Sequence, residues 1–122
     1  MGAYDSVSGV RPRQIWTGAV ARHVQGEKIT MAVVDLEPNL AVPEHHHVNE
    51  QVGLVLDGVV TMVIGGEAKR LQAGETYVIP SDVPHSASTG PEGAAVIDVF
   101  TPVRADWAQA PELEPGPGRW PA

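Results

Sequence analysis

Two stretches decide the fold of this chain: PEHHHVNEQ at residues 43–51 and PSDVPH at residues 80–85. In an extended strand, side chains two residues apart project from the same face, with Cα atoms roughly 6.5–7 Å apart. His45 and His47 have this spacing, so their imidazoles can converge on one ion at bonds of about 2.0–2.2 Å. Gln51 shares their parity, and His85 would arrive from another strand. The two segments therefore predict a divalent-metal site with four ligands.

The neighbouring residues of the first segment leave one alternative ligand open. His46 and Glu50 have the opposite parity, so we expect them to point away from the ion. Glu50 could replace Gln51 as a carboxylate ligand, but strand parity favours Gln51. A polar loop or a remnant purification tag would also explain three consecutive histidines. The internal position of the triplet and the second segment at 80–85 argue against both explanations.

Composition limits the classes of protein to consider. With 122 residues, the chain is long enough for one domain with one core. The absence of Cys rules out disulfides and thiolate ligands, which leaves histidine, amide and carboxylate donors for a metal. A net charge of −7 repels phosphate backbones, so we expect no nucleic-acid partner. No run of about 18 apolar residues and no secretion signal are visible, so we expect no membrane contact and a cytoplasmic location.

Short apolar and alternating runs separated by turn residues predict an all-β fold. The predicted strands are residues 20–24, 28–36, 51–56, 59–64, 69–71, 77–79, 85–88 and 94–100. Gly65-Gly66 is typical of a two-residue hairpin turn, and Asn39 can take the left-handed conformation that a turn at 37–39 requires. Residues 105–110 predict a short helical turn that Pro111 ends. We therefore expect a barrel with an N-terminal arm over residues 1–110 and a Pro/Gly-rich tail over 111–122, extended or disordered.

A second cluster of polar and aromatic residues follows the metal segments. Asp98 and Phe100 share one face of the last apolar run, and a lone carboxylate there is costly to bury without a partner. Facing the barrel interior, Asp98 would be a candidate general acid or base. Arg104 could bind a substrate carboxylate with two parallel hydrogen bonds. In the alternative interpretation Asp98 faces solvent, Phe100 fills the core and Arg104 is a surface charge.

On these motifs the chain resembles the cupin superfamily. The first cupin motif corresponds to His45, His47, Gln51 and Gly58, and the second corresponds to Gly74, Pro80 and His85. The resemblance implies a single-domain double-stranded β-helix, also called a jelly-roll barrel, that holds one divalent metal. The sequence departs from the motifs at three turn or closing positions, which hold Asn39, Asp82 and Thr89. Asn and Asp tolerate turn geometry, so these departures threaten neither the fold nor the metal site.

Within the superfamily, Gln51 and the pattern Asp-x-Phe-x-x-x-Arg at 98–104 resemble the KdgF group of pectin- and alginate-degradation cupins. This resemblance implies a metal-dependent, non-redox reaction that converts 4,5-unsaturated uronates to open-chain keto sugars. It implies that Asp98 and Arg104 are catalytic, and that Phe100 and Arg104 bind substrate. Three imidazoles and an amide leave the charge of the ion uncompensated, which favours anionic substrates. The metal identity stays open among Ni, Zn, Fe, Mn and Co.

Three other functions stay open at this point: a cupin polyketide cyclase, an Fe(II) dioxygenase, and a non-enzymatic cupin that binds metal or sugar. His23 is a further possible ligand, although a structural or surface role for Arg22 and His23 is the simpler hypothesis. We expect Met31 and Met62 to fill the core. The resemblance also implies a homodimer, in which Trp16 would hold the N-terminal segment on a neighbouring subunit. Trp107 and Trp120 are candidates to cover one mouth of the barrel.

Overall fold

The computed structural model of the protein describes residues 3–121 and contains eight β-strands in one antiparallel sheet that forms the expected all-β barrel. The strands are β1 (Arg13–Trp16), β2 (Ala19–Gln25), β3 (Thr30–Leu36), β4 (Ala41–His45), β5 (Glu50–Ile64), β6 (Glu67–Gln72), β7 (Thr76–Ile79) and β8 (His85–Thr101). Two 3₁₀ turns flank them, at Val7–Gly9 and Ala105–Gln109. Along the sheet the order is β1-β2-β3-β8-β5-β6, while β4 pairs with β8 and β7 with β5.

Two strands are much longer than the sequence pattern predicts. The break expected at Asp57-Gly58 is wrong, because β5 continues through it with shifts of register against β8 on both sides of the glycine. Likewise, β8 joins the two runs expected at 85–88 and 94–100. Irregular pairing of this kind bends a strand without ending it. Each long strand can therefore contribute side chains to both ends of the barrel. The short strands β1 and β4 were not expected.

The predicted turns have the expected backbone geometry. Gly65 and Gly66 link β5 to β6 with φ of 56° and 85°, as a tight hairpin requires. Asn39 and Asp82 are the non-glycine residues with positive φ among those described, at 56° and 62°. These two residues stand where the sequence departs from the usual motif, which confirms that Asn and Asp tolerate those turns. The β7–β8 turn that contains Asp82 presents His85.

The core lies inside the barrel, and several of its members also line the cavity described below. Its members are small aliphatic residues with a few aromatic ones, including Ala21, Val34, Val55, Val60, Ile79 and Val96. Met62 is buried among them, as expected. Met31 is not: 46% of its surface is exposed because it projects from the outer face of β3. Across the five strands β2, β3, β8, β5 and β7, the outer face carries one row of apolar side chains: Val24, Met31, Val99, Val52 and Val78.

The C-terminal segment runs along the outside of the barrel. Leu113 donates its N–H to the carbonyl of Pro12 at 2.8 Å, and Arg119 Nε lies 2.7 Å from Asp57 Oδ2. Arg22 is also held on this outer side, where it contacts Asp35 at 3.0 Å and a tail carbonyl. Arg22 therefore does not face the barrel interior. Among residues 3–121, no helix is both long enough and apolar enough to cross a membrane.

Candidate metal centre and proton-transfer site

Three histidines meet at the mouth of the barrel. His45 ends β4 and His85 begins β8, and the two residues are cross-strand partners. His47 lies in the short loop between β4 and β5. One nitrogen from each ring can be chosen so that all three lie within 4.8 Å of one another, and no other such group of three His, Cys, Asp or Glu is found among the described residues. This separation suits three ligands of one ion.

The second nitrogen of each ring fixes its tautomer. The Nδ1 atoms of His45, His47 and His85 lie 2.9, 2.9 and 2.8 Å from the backbone carbonyls of Pro43, Asn49 and Val83. A carbonyl oxygen only accepts hydrogen bonds, so each Nδ1 must carry the proton. The three Nε2 lone pairs are therefore directed away from the backbone. Metal-binding histidines are normally oriented by this kind of hydrogen bond.

Burial keeps two of these rings neutral. Desolvation lowers the pKa of His47 and of His85, and the positive charge of Arg104 acts in the same direction. Hydrogen bonds to the backbone carbonyls oppose these effects only in part. A neutral imidazole is the form that binds a metal. Both rings therefore tend to keep an unprotonated Nε2 atom, which can bind a metal ion.

Gln51 places an amide oxygen beside the histidine group. Its Oε1 lies 3.2 Å from Nε2 of His47. Since Nδ1 of His47 carries the proton, a lone pair faces a lone pair across this gap in the neutral ring, and a metal ion bound to both atoms or a second proton on His47 would satisfy this contact. The other end of the amide donates a hydrogen bond to Asp98, which sets the direction in which the side chain points. Three imidazoles and one amide oxygen fit a divalent transition metal, and Glu50 is exposed on the opposite face.

Asp98 is the buried carboxylate next to this donor set. It is 7% exposed, and its Oδ1 accepts a hydrogen bond from the Tyr77 hydroxyl at 2.5 Å. Burial raises the pKa of Asp98, while hydrogen bonds from Tyr77 and Gln51 and the charge of Arg104 oppose that rise. The pKa of Tyr77 is raised well above 10 by burial and by the Asp98 charge, so the phenol stays protonated and remains a donor. The carboxylate is thus held in place and is more basic than an exposed one.

Gly53 makes this contact possible. It is the cross-strand partner of Tyr77 on one side and of Asp98 on the other. A Cβ at position 53 would overlap the ring and hydroxyl of Tyr77. Only a glycine between them lets the phenol reach across β5 to the carboxylate. Sequence reasoning missed Tyr77 and Gly53, although a lone Gly inside an apolar strand is a known signal of a close approach.

Arg104 lies at the rim of the same cavity, but it is paired. Its guanidinium carbon lies 4.8 Å from the ring centres of both Phe100 and Trp107. Its Nε and Nη2 donate to the two carboxylate oxygens of Asp106 at 3.0 and 2.9 Å. These bonds use two of its five N–H donors. A substrate carboxylate would therefore share this guanidinium with Asp106 or displace it.

Two buried polar residues hold the Arg104 segment against the centre. Asn49 donates to the carbonyls of Pro102 and Val103 at 2.6 and 3.2 Å, while its own carbonyl orients His47. Thr30 accepts the backbone N–H of Arg104 at 2.9 Å. The orientation of a metal-ligand candidate and the position of the arginine are thus coupled through Asn49. Nothing in the sequence pattern singled out Asn49.

One cavity of about 290 Å³ contains the whole cluster. The polar side chains that line it are His45, His47, Gln51, Tyr77, His85, Asp98 and Arg104. Phe100 and Trp107 also line it, and Trp107 is buried there with 4% of its surface exposed. His23 packs edge-on against Trp107 and is not part of the histidine group. A larger cavity of about 570 Å³ lies between the N-terminal segment and the outer face of β2 and β3, away from this centre.

Comparison with known proteins assigns the family. The cupin-domain family model matches residues 32–100, which is more than half of the chain. The chain is a cupin. This cupin is 32% identical over 68 residues to the pectin degradation protein KdgF of Dickeya dadantii, an alignment that covers 56% of this chain and 62% of that protein. The chain thus spans about three fifths of the length of that relative.

Solved structures show the same fold. An RmlC-like cupin from Shewanella frigidimarina superposes with a TM-score of 0.80 at 23% identity, covering 87% of this chain and 96% of the other. KdgF from a Halomonas species superposes with a TM-score of 0.78 at 24% identity, covering 87% and 98%. At these sequence identities, the structural similarity shows a shared fold and nothing further. Together with the three-histidine group, the comparisons support a metal-binding cupin similar to KdgF.

Proposed function

We propose that this cupin is a divalent-metal-dependent, non-redox enzyme that moves a proton on a small anionic molecule bearing a carbonyl or carboxylate group. The observation that carries this proposal is the buried Asp98 carboxylate, which shares one cavity with the histidine group and with Arg104. A bound divalent ion would act as a Lewis acid that polarises a substrate oxygen. His45, His47, Gln51 and His85 would hold it.

Asp98 would be the group that carries the proton. A general base works best when its pKa approaches the operating pH, and burial moves the pKa of Asp98 in that direction. The Tyr77 hydroxyl and the Gln51 amide hold the carboxylate in place, so little reorganisation is needed when the proton moves. Tyr77 and Gln51 are therefore proposed as positioning residues.

Arg104 would bind the negative end of the substrate. Its guanidinium packs against the corner formed by the rings of Phe100 and Trp107, which limits its orientation and suits recognition of a planar carboxylate. Phe100 would shape the adjacent wall of the pocket. An anionic substrate fits this arrangement, because the donor set adds no negative charge of its own.

Opening of 4,5-unsaturated uronates is one specific reaction of this class, and the similarity to KdgF supports it. In that reaction the hydroxyl at C1 loses its proton, the bond from C1 to the ring oxygen breaks, and C4 gains a proton. The products are an aldehyde at C1 and a ketone at C5 of the same molecule. One carboxylate that accepts and returns a proton is enough, and Asp98 would fill that role.

Ring closure of a polyketide is the second specific reaction. It also begins with removal of a proton from carbon next to a polarised carbonyl, so it needs the same base and the same kind of centre. The observation that favours it is the largely apolar wall of the cavity, formed by residues such as Leu36, Met62 and Val96. A uronate offers few apolar groups to such a wall.

The test is the exchange of carbon-bound hydrogen for deuterium in a simple 2-oxo acid, followed by NMR with the metal-loaded protein. We expect exchange with the unaltered protein, and loss of it in Asp98→Asn with metal content unchanged. Asp57→Asn is the matched control, since Asp57 is an exposed carboxylate on the outside of β5. Normal exchange by Asp98→Asn would contradict the proton-transfer role.

Two other functions give different results in the same experiments. An Fe(II) dioxygenase would consume oxygen and stop under anaerobic conditions, whereas proton transfer would continue. A non-enzymatic binding cupin would bind the oxo acid without exchange. For the uronate reaction, loss of the ultraviolet absorbance of an unsaturated uronate is the direct readout.

A further inference from the structure

The side chains that line the cavity of about 290 Å³ restrict which substrates it can bind. Every polar or ionisable side chain of the described lining residues belongs to the centre already described, apart from the indole N–H groups of Trp16 and Trp107. The remaining wall is built from aliphatic and aromatic side chains. Ile15, Val34, Leu36, Val42, Met62 and Val96 represent it.

The backbone groups behind this wall are already hydrogen-bonded within the sheet. Val34 on β3 pairs with Val96 on β8, and β8 pairs with β5 on its other side. Their N–H and C=O groups are therefore used in the sheet rather than directed into the cavity. A hydroxyl group of a ligand that lies against Val34 or Val96 would lose its water and find no partner there.

The polar groups of the cavity form one connected cluster. Ring nitrogens of the three histidines lie within 4.8 Å of one another, His47 Nε2 lies 3.2 Å from Gln51 Oε1, and Asp98 accepts hydrogen bonds from Gln51 and Tyr77. A ligand would thus meet charge and hydrogen bonds at its head and hydrocarbon along its body. A cavity of about 290 Å³ is at the low end of the range for ligand pockets, so the ligand is small.

We propose that the substrate is a small carboxylic acid with a carbonyl group near the carboxylate and an alkyl or aryl body, rather than a polyhydroxylated sugar acid. This inference rests on the proposed proton-transfer function, specifies its substrate, and disfavours the uronate reaction named above. The head would occupy the end that holds Asp98 and Arg104. The body would lie against Val34, Leu36 and Val96.

The test uses two probes that share a six-carbon chain and a 2-oxo acid head. The first is 2-oxohexanoate, and the second is 2-oxo-3-deoxygluconate, which adds hydroxyl groups at C4, C5 and C6. Calorimetry with the metal-loaded protein measures the affinity of each. We expect 2-oxohexanoate to bind at least tenfold more tightly. Equal affinity, or tighter binding of the hydroxylated probe, would overturn the proposal.

Variants of the wall residues test whether the wall causes the tighter binding of 2-oxohexanoate. Val34→Thr places a hydroxyl in the wall with little change of shape, and it should reduce the preference for 2-oxohexanoate at least threefold. Ala87→Ser gives the same test on β8 if Val34→Thr fails to fold. Val52→Thr, on the outer face of β5, is the matched control and should leave the preference unchanged. An unchanged preference in both wall variants would contradict the assignment.

The two proposals can fail separately. Deuterium exchange at C3 of either probe reports on proton transfer, whereas calorimetry reports on the binding of the body. If Asp98→Asn exchanges normally while 2-oxohexanoate remains the tighter ligand, the proton-transfer function is wrong and the apolar site stands. If exchange depends on Asp98 but the hydroxylated probe binds more tightly, the function stands and the substrate class is wrong.

Discussion

Replacing Gly53 by Ala should disturb the site through a single methyl group. Gly53 lies between Tyr77 and Asp98 on three neighbouring strands, and a Cβ there would overlap the ring and hydroxyl of Tyr77. The ring is 6% exposed and packed in the core, so it cannot swing aside without moving its neighbours. The phenol must leave its position and lose its hydrogen bond to the carboxylate.

The expected loss in the free energy of unfolding of Gly53→Ala has two parts. Overpacking a filled core costs about 1–3 kcal/mol. A hydrogen bond to a charged group contributes about 1.5–3 kcal/mol, and it is lost when the ring moves. Because a domain of this size has a total stability of about 5–15 kcal/mol, Gly53→Ala should be severely destabilising. Tyr77→Phe keeps the ring and removes only the hydroxyl, so it should cost the second part alone.

Urea unfolding of the metal-free protein measures both variants. Gly90→Ala is the matched control, since Gly90 also lies in a long strand but its Cβ would meet nothing within 4 Å. In a Tyr77→Ala background, Gly53→Ala should cost far less than in the unaltered protein, because the obstacle is gone. If Gly53→Ala and Gly90→Ala unfold at the same urea concentration, the proposed role of Gly53 is wrong.

Three further predictions concern the site and its surroundings. Gln51→Glu should keep the metal but slow deuterium exchange at least about tenfold, because a carboxylate cannot donate a hydrogen bond to Asp98. Metal analysis and NMR measure the two quantities, and an unchanged exchange rate would contradict the prediction. Hydrogen bonds from Arg104 lower the pKa of Asp106 below its ordinary 3.8, so this pair stabilises the protein above that pH and the contribution is lost as the pH falls through the lowered pKa. The free energy of unfolding of Asp106→Asn, measured by urea titration, should therefore differ from that of the unaltered protein by under about 1 kcal/mol at neutral pH. This difference should disappear in acid. The expected homodimer stays a prediction, and light scattering should give twice the 12.9 kDa mass of one chain rather than that mass alone.

The candidate metal donors could be named from the sequence because they lie in two short motifs. His45 is the last residue of β4, His47 lies in the following loop and Gln51 lies in β5, so the residues that the prediction named come together although they do not share one strand. His85 could be placed by the two prolines that stiffen the turn before it. His46 and Glu50 are exposed, as predicted, but His45 is exposed as well, so alternation along a strand does not by itself separate ligand candidates from the other residues.

The rest of the site depends on contacts between strands that are distant in sequence. Tyr77 reaches Asp98 only because Gly53 lies between them, and no pattern within one strand shows that register. The pairing of Arg104 with Asp106 depends on a turn after β8 that Asn49 holds from another loop. The hydrophobicity of Met31 predicts a core position, but Met31 lies on the outer face of β3 and is exposed.

The most direct test of the account is the metal content of the purified protein after loading with Ni, Zn, Fe, Mn or Co. We predict one tightly bound divalent ion per chain, lost in His85→Ala and retained in His23→Ala, whose ring lies outside the group. Binding that survives His85→Ala, or failure to bind any of the five metals, would contradict the claim that these four residues form a metal centre.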